Sequence, residues 1–443
     1  MRKVEAKPGT DFDGLEWVRD ALWSSEPRWT FEPDEDAIRQ TVAFSLNLTT
    51  TPCHIEFLAQ GAFNKVYAIT FPEKEKEVIV RVTLPVDPQW KTLSEVATLQ
   101  WVLDNTSLPV PKVLSYQSDR TSTVGFEWIV MSRMPGRSLH DRWRDVAFSA
   151  KEQIVRRLAG FCSDTFRAQL RGIGNLFLDD TGPVPDSSAQ DRGSFRVQRI
   201  VSGEFIWEGR IHAQVSRGPF QSSRDWLVAR LSLAEMDCRE RLSRFQDTAP
   251  EDVDEDDVED LQHTMDIISR LRRLLDDFFP PPGPGLGPER TMIVHHDLSR
   301  QNILVDDHGN LTAVVDWECI SAVPLWSACQ IPFLLRGKPR DEEPVKAHYQ
   351  HDDDGNVAEL FWEHLDDYEL TQLRRVFVAE MGRRQREWLD IFESSQRQRD
   401  FDLAVSGCSD PFLIRRIREW LDGVEKGVGG SGGLEERIDN ASL

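Results

Sequence analysis

The sequence predicts an α+β chain of two lobes, a small β-rich one followed by a larger helical one. Three observations carry that prediction. Short β-like runs broken by one helical stretch fill residues 51–131, helical periodicity dominates beyond residue 138, and a β-hairpin signature at 303–315 sits inside the helical part. The chain's 443 residues suit two or three folding units at about 100–200 residues each.

Charge and composition exclude several function classes. With 75 Asp+Glu against 53 Lys+Arg, the net charge is -22, and an acidic surface repels both nucleic acid and anionic lipid. Forty percent apolar residues with 23 Phe and 14 Trp provide ample material for a core. No run approaches 18 apolar residues, and no apolar stretch follows the basic residues at the N-terminus, so neither membrane spanning nor secretion is expected. The six scattered cysteines read as reduced thiols of a cytoplasmic protein.

In chain order, residues 1–50 read as an N-terminal helical extension, because Leu15, Trp17, Val18, Leu22 and Trp23 recur near helical spacing. Residues 51–131 form the β-rich N-lobe: strands in EFLAQGAFNKVYAITF and EVIVRVTL, a helix in SEVATLQWVLDNT, then strands around KVLSY and FEWIVMSRM. Residues 132–137, with Pro135 and Gly136, make a hinge. The helical C-lobe spans 138–423, beginning with SAKEQIVRRLAGFCSDTFRAQL. It contains the acidic run EDVDEDDVED at 251–260 and the stiff connector PPPGPGLGP at 280–288. The glycine-rich end, 424–443, reads as a mobile tail.

Chemistry concentrates in IVHHDLSRQNILVDDHGNLTAVVDWE, residues 293–318. Apolar runs at 303–305 and 313–315 flank the turn Asp307-His308-Gly309-Asn310, so paired residues sum to about 617 and Asn302 faces Asp316 at the open end. An amide oxygen beside a carboxylate suits Mg²⁺, which takes phosphate oxygens and water for the rest of its shell. Asp297, five residues before Asn302, can orient or deprotonate a hydroxyl. Singly, each of the three is an ordinary turn residue; the set HxDxxxxN, strand, turn, strand, Asp is far more specific. A zinc reading of His295, His296 and Asp297 fails on the poor convergence of adjacent side chains.

This segment resembles the catalytic loop and metal strand of the aminoglycoside phosphotransferase and choline kinase family, which is similar to protein kinases. His295-His296-Asp297 stands at the family's HGD and Val315-Asp316-Trp317-Glu318 at its IDWE. The resemblance implies a two-lobed protein-kinase-like fold with ATP and Mg²⁺ as cofactors. Asp297 becomes the catalytic base, Asn302 and Asp316 the metal ligands, and His295 a brace of the loop. Upstream, AQGAFNKVYAI matches the family's phosphate-covering loop, which assigns Gly61 and Asn64 to the nucleotide. Arg81 of VIVRV stands where protein kinases place a phosphate-binding Lys, Glu95 is its ion-pair partner, and Met131, Ser132 and Met134 match the hinge that bonds adenine. The long section between the matched parts is similar to that of enlarged fungal members.

The implied function is transfer of the γ-phosphoryl group to a hydroxyl of a small molecule. After the metal strand, CISAVPLWSACQIPFLL replaces a polar activation loop with a compact apolar stretch, which favours a small acceptor over a protein. Two alternatives stay open: a nucleotide-binding scaffold with weak or no catalysis, suggested by Arg81 and the single loop glycine, and a protein kinase. Trp326, Trp362 and Trp388 fit core packing better than an aromatic wall over a cationic acceptor. The acceptor's identity and the oligomeric state have no signature in the sequence.

Overall fold

The structure, a computed structural model, describes residues 12–19, 25–179, 194–246, 255–283, 285–352, 355–427 and 433–439. The first eleven residues, the first four of the acidic run at 251–260 and residue 284 of the Pro/Gly connector lie outside it, as do 428–432 and 440–443 of the expected tail. The chain divides into two compact units, one of Met1–Ala150, Gly174–Gln214 and Ile293–Ala322, the other of Lys151–Ile173, Val215–Met292 and Val323–Leu443. The expected α+β class is the one observed, with a β-sheet region first and a helical region later.

The first unit opens on a correction. Residues expected to be helical form strand β1 (Leu15–Arg19), antiparallel to β2 (Ser25–Trp29). Leu15 and Trp17 fit an alternating pattern as well as a helical one, and what decides is packing. Leu15 is buried with Phe63, Leu84 and Val86, and Trp17 meets Trp207 edge-on at 5.9 Å. The helix of this region comes later, α1 (Glu35–Ser45), capped by Asp34, whose carboxylate accepts from the N–H groups of Asp36 and Ala37.

A five-stranded antiparallel sheet follows. It comprises β3 (His54–Gln60), β4 (Asn64–Phe71), β5 (Lys76–Thr83), β6 (Val113–Gln117) and β7 (Glu127–Ser132), in the order β3-β4-β5-β7-β6. The helix between β5 and β6 is α2 (Trp90–Asn105). Alternation along the strands sorts side chains between two faces. Val78, Val80, Val82, Trp128 and Val130 pack with Ile38 and Val42 of α1, whereas Ile79, Ile129 and Met131 pack with Val96 of α2. Arg81 shares the face of Ile79, so the two-residue period brings it to α2.

The hinge runs into β8 (Arg137–Ser138), which pairs with the strand Ile303–Val305. Gly136 makes that approach possible: its φ is +107°, and a Cβ there would lie 2.6 Å from both Thr312 Oγ1 and the Val305 carbonyl. This pairing groups the 303–314 hairpin with the β-rich unit, although the sequence suggested the helical lobe.

The second unit is built of helices. Most of Phe148–Arg167, the helix expected in SAKEQIVRRLAGFCSDTFRAQL, belongs to it, with Ser223–Gln246, Glu255–Phe278, Glu359–Arg384, Arg386–Ser394, Gln396–Gly407 and Pro411–Glu425. The acids Glu255, Asp256 and Asp257 fill the first turn of their helix, where negative charge suits the helix dipole. Trp388 is fully buried against Phe377 and Phe392, and Trp326 packs on Trp226 and Phe279 while donating to Ser223, so both are core residues. The described part of the expected tail is also ordered by packing: Leu434–Asp439 is helical and Leu434 is fully buried. Among the described residues no helix is long and apolar enough to cross a membrane.

Candidate active site

The site is built on the hairpin of Ile303–Val305 and Leu311–Val314. Its turn closes on Asp306, whose carboxylate accepts from the N–H groups of His308 and Asn310 at 2.9 and 2.8 Å. Pairs Ile303 with Val314 and Leu304 with Ala313 confirm the register read from the sequence, with a bulge before Val305. The Val315 N–H donates to the Asn302 carbonyl at 2.9 Å, so the ladder ends at Asn302 and Asp316 lies one residue beyond it. There Asp316 turns out of the strand with φ +64°.

Asn302 is buried, and its amide nitrogen donates to both the main-chain carbonyl and Oδ2 of Asp297, each at 2.9 Å. This leaves Asn302 Oδ1 as the amide's free acceptor and fixes the loop that carries the exposed Asp297 carboxylate. His295 braces the same loop from below, its Nε2 3.0 Å from the Val315 carbonyl and its ring edge-on to Trp317 at 4.8 Å. Burial holds the His295 pKa below its ordinary value, so the ring is neutral near pH 7.

Five charged groups, Asp316 among them, meet at the mouth of the hairpin. Arg81 donates to Glu95 Oε1 through Nη1 and to Asp316 Oδ1 through Nη2, both at 2.5 Å. The predicted pair with Glu95 is therefore made, and the same guanidinium reaches the metal-strand Asp. Burial opposes the charge on Arg81, but Glu95, Asp316 and Glu318 outweigh it and raise its pKa. Sequence reasoning missed the other half of the cluster. Lys91, one turn before Glu95 on α2, forms an ion pair with Glu318, and burial opposes ionisation of Glu318 less than Lys91 and Arg81 favour it.

Asn64 joins this second half rather than standing open. Its Nδ2 donates to Glu318 at 2.6 Å, while its Oδ1 accepts from Thr83 and, at 3.1 Å, from Lys91. Gly61 lies in the three-residue turn between β3 and β4, where its N–H donates to the Asn64 carbonyl and a Cβ would meet nothing within 4 Å. The turn is anchored by Phe63, whose ring sits 5.2 Å from Trp207. Met131 is buried at the end of β7. The Ser132 N–H donates to the Lys112 carbonyl and its hydroxyl accepts from the Lys112 N–H, both at 2.9 Å; Met134 follows two residues on.

The donor set fits a hard divalent cation. Asn302 Oδ1 and the Asp316 carboxylate are hard oxygen donors from the two sides of one hairpin mouth, and Asp316 is still 36% exposed. Arg81 and Lys91 face the carboxylates of Glu95, Asp316 and Glu318, two cations against three anions, which leaves an excess of negative charge. Among the described residues no group of three His, Cys, Asp or Glu is arranged to hold a metal, so the zinc alternative gains nothing.

Residues 54–327 match the family described as phosphotransferase enzyme family, a span containing every site residue named above. A subtelomeric hrmA-associated cluster protein of Aspergillus fumigatus is 25% identical over 312 residues, covering 62% of this chain and 59% of its own. Clavilactone A biosynthesis cluster protein Y of Ampulloclitocybe clavipes is 25% identical over 257 residues, 56% of this chain and 55% of that one. The chain thus spans under three fifths of the length of these relatives. Among solved structures, a putative aminoglycoside phosphotransferase from Ralstonia eutropha aligns at 14% identity and a TM-score of 0.41, over 91% of this chain and 93% of that one. A Plasmodium vivax ethanolamine kinase aligns at 11% identity and 0.43, over 94% and 91%.

Proposed function

Because the chain belongs to the phosphotransferase enzyme family, we propose that it transfers the γ-phosphoryl group of ATP to a hydroxyl of a small molecule, with Mg²⁺ held by Asn302 and Asp316. The observation that carries this reading is the pair of hydrogen bonds from the Asn302 amide to Asp297, which sets an acceptor-side carboxylate beside a cation-side oxygen. The metal ion, when bound, neutralises phosphate charge. Asp297 keeps Oδ1 for the acceptor hydroxyl, orienting it and taking its proton. Arg81 fixes Asp316 and places positive charge beside the phosphates. The Ser132 carbonyl and the Met134 main chain take the adenine, and the turn at Gly61, where even a Cβ would meet nothing within 4 Å, covers the phosphates.

A small acceptor is supported by the chain after Glu318, which passes directly into the strand Ser321–Pro324, buried throughout, with no polar platform for a protein substrate. All six cysteines are free thiols, which supports a reducing, cytoplasmic setting. The test is a metabolite-extract screen for Mg²⁺- and ATP-dependent phosphorylation, with Asp297→Ala as the blank. Label in small molecules supports the proposal. Stabilisation by ATP without transfer to any hydroxyl points to a scaffold, and label in protein to a protein kinase.

A further inference from the structure

We propose that Lys91 is a positioning residue that sorts the charges of this site: by occupying Glu318 it leaves Arg81 to Glu95 and Asp316. The inference rests on the phosphotransferase reading and deepens it. Lys91 lies in the first turn of α2 and is only 1% exposed, so it does not reach a substrate. Its ammonium contacts Glu318 Oε2 and Asn64 Oδ1, and the Asn64 amide donates to that same Glu318 oxygen.

The need for sorting comes from Arg81. Its Nη1, which holds Glu95, is only 4.0 Å from Glu318 Oε2, so the guanidinium has three carboxylates within reach and two faces to give. Asp316 and Glu318 flank Trp317, which is itself locked by a hydrogen bond from Nε1 to the Val314 carbonyl. Lys91 and Glu95 sit four residues apart on one face of α2, so the helix supplies a cation for Glu318 and an anion for Arg81 at once.

The frame around the cluster is stiff. Behind it, the fully buried Asn175 side chain donates to Ser94 Oγ and to the carbonyls of Val201 and Ile320, and accepts from the Val201 N–H and Ser321 Oγ. Ser94 adjoins Glu95, and Ile320 lies two residues past Glu318. With α2 and the 318–321 segment bolted together, a charge imbalance is relieved by the guanidinium rather than by the backbone. Without the Lys91 ammonium, Glu318 is a largely enclosed carboxylate whose nearest remaining cation is Arg81 Nη1 at 4.0 Å, an unfavourable state. Arg81 then swings to Glu318 and releases Asp316.

The experiment compares wild type, Lys91→Met, Glu318→Gln and the double variant in ATP turnover with Mg²⁺ and in thermal midpoint. Lys91→Met is expected to lower kcat by about 100-fold, the cost of a small misplacement, with a smaller change in nucleotide KM. Adding Glu318→Gln removes the unpaired carboxylate and is expected to recover most of the kcat and of the midpoint. A double variant no better than Lys91→Met in either readout overturns the inference, because lost packing is not repaired by neutralising Glu318. Should Lys91→Met fail to fold, folding of the double variant supports the sorting role and its failure refutes it. Should wild type transfer no phosphate, the functional reading falls. The inference is then judged by the crystal structure of Lys91→Met: Arg81 on Glu318 upholds it, and Arg81 still on Asp316 overturns it.

Discussion

The Asn302 amide binds Asp297 twice, at its main-chain carbonyl and at Oδ2, both at 2.9 Å. One side chain thus fixes the loop bearing the exposed Asp297 carboxylate, and under the proposed function its remaining oxygen is the one offered to the cation. Asp297→Asn is expected to lower turnover by about 10²–10⁴-fold, the usual worth of general-base catalysis. Binding of Mg-ATP, read as a thermal shift, should stay near wild type. Equal losses in the two measurements would argue against a base.

Asp316→Ala should abolish Mg²⁺-dependent turnover while the protein stays folded. Asp316 is partly exposed and lies past the last ladder bond, and Arg81 keeps Glu95 as a partner. Circular dichroism and turnover at varied Mg²⁺ check both halves. Undiminished turnover would remove Asp316 from the metal site.

The hairpin and its register were legible because a turn of Asp, Gly and Asn between two apolar runs leaves little choice of pairing. The Arg81–Glu95 pair was legible through the family resemblance, which sets a cation on this strand against a carboxylate on the following helix; strand alternation in the fold then brings Arg81 to α2. Lys91 and Glu318 were not legible, since a Lys at the start of a helix reads as solvated and only the folded turn at Asp316 carries Glu318 to it. The N-terminal strands were misread because Leu15 and Trp17 satisfy two periods, and the choice lies with residues far away in sequence, Phe63 and Trp207.

Glu127 supplies a pH dependence of stability. Burial pushes its carboxyl up to about 7, against the hydrogen bond from the Gln89 N–H at the start of α2. A folded-state pKa above the unfolded value, 4.5, means that the stabilising contribution is complete below pH 4.5 and is lost as pH rises through about 7. Glu127→Gln keeps an acceptor for Gln89 but cannot ionise. It should flatten the fall of thermal midpoint between pH 5 and 8, worth about 2–3 kcal/mol for a shift of this size. A variant whose midpoint falls with pH as steeply as wild type would assign the dependence elsewhere.

The C-terminal helix offers the sharpest contrast between composition and packing. Glycines and small polar residues made 424–443 look unanchored, yet Leu434 is fully buried and the Glu435 N–H donates to the Asp400 carboxylate at 3.2 Å. Gly433 permits that approach, since a Cβ there would lie 2.6 Å from Asp400 Oδ2. A freely moving tail would tolerate Leu434→Ala without effect. A docked one loses a buried side chain and gains a cavity, so Leu434→Ala should cost about 2–5 kcal/mol in chemical denaturation. Asn-scale surface changes nearby, such as Glu436→Gln at an exposed position of the same helix, should cost less than about 0.5 kcal/mol. Equal behaviour of the two variants would restore the unanchored tail, because only burial separates them.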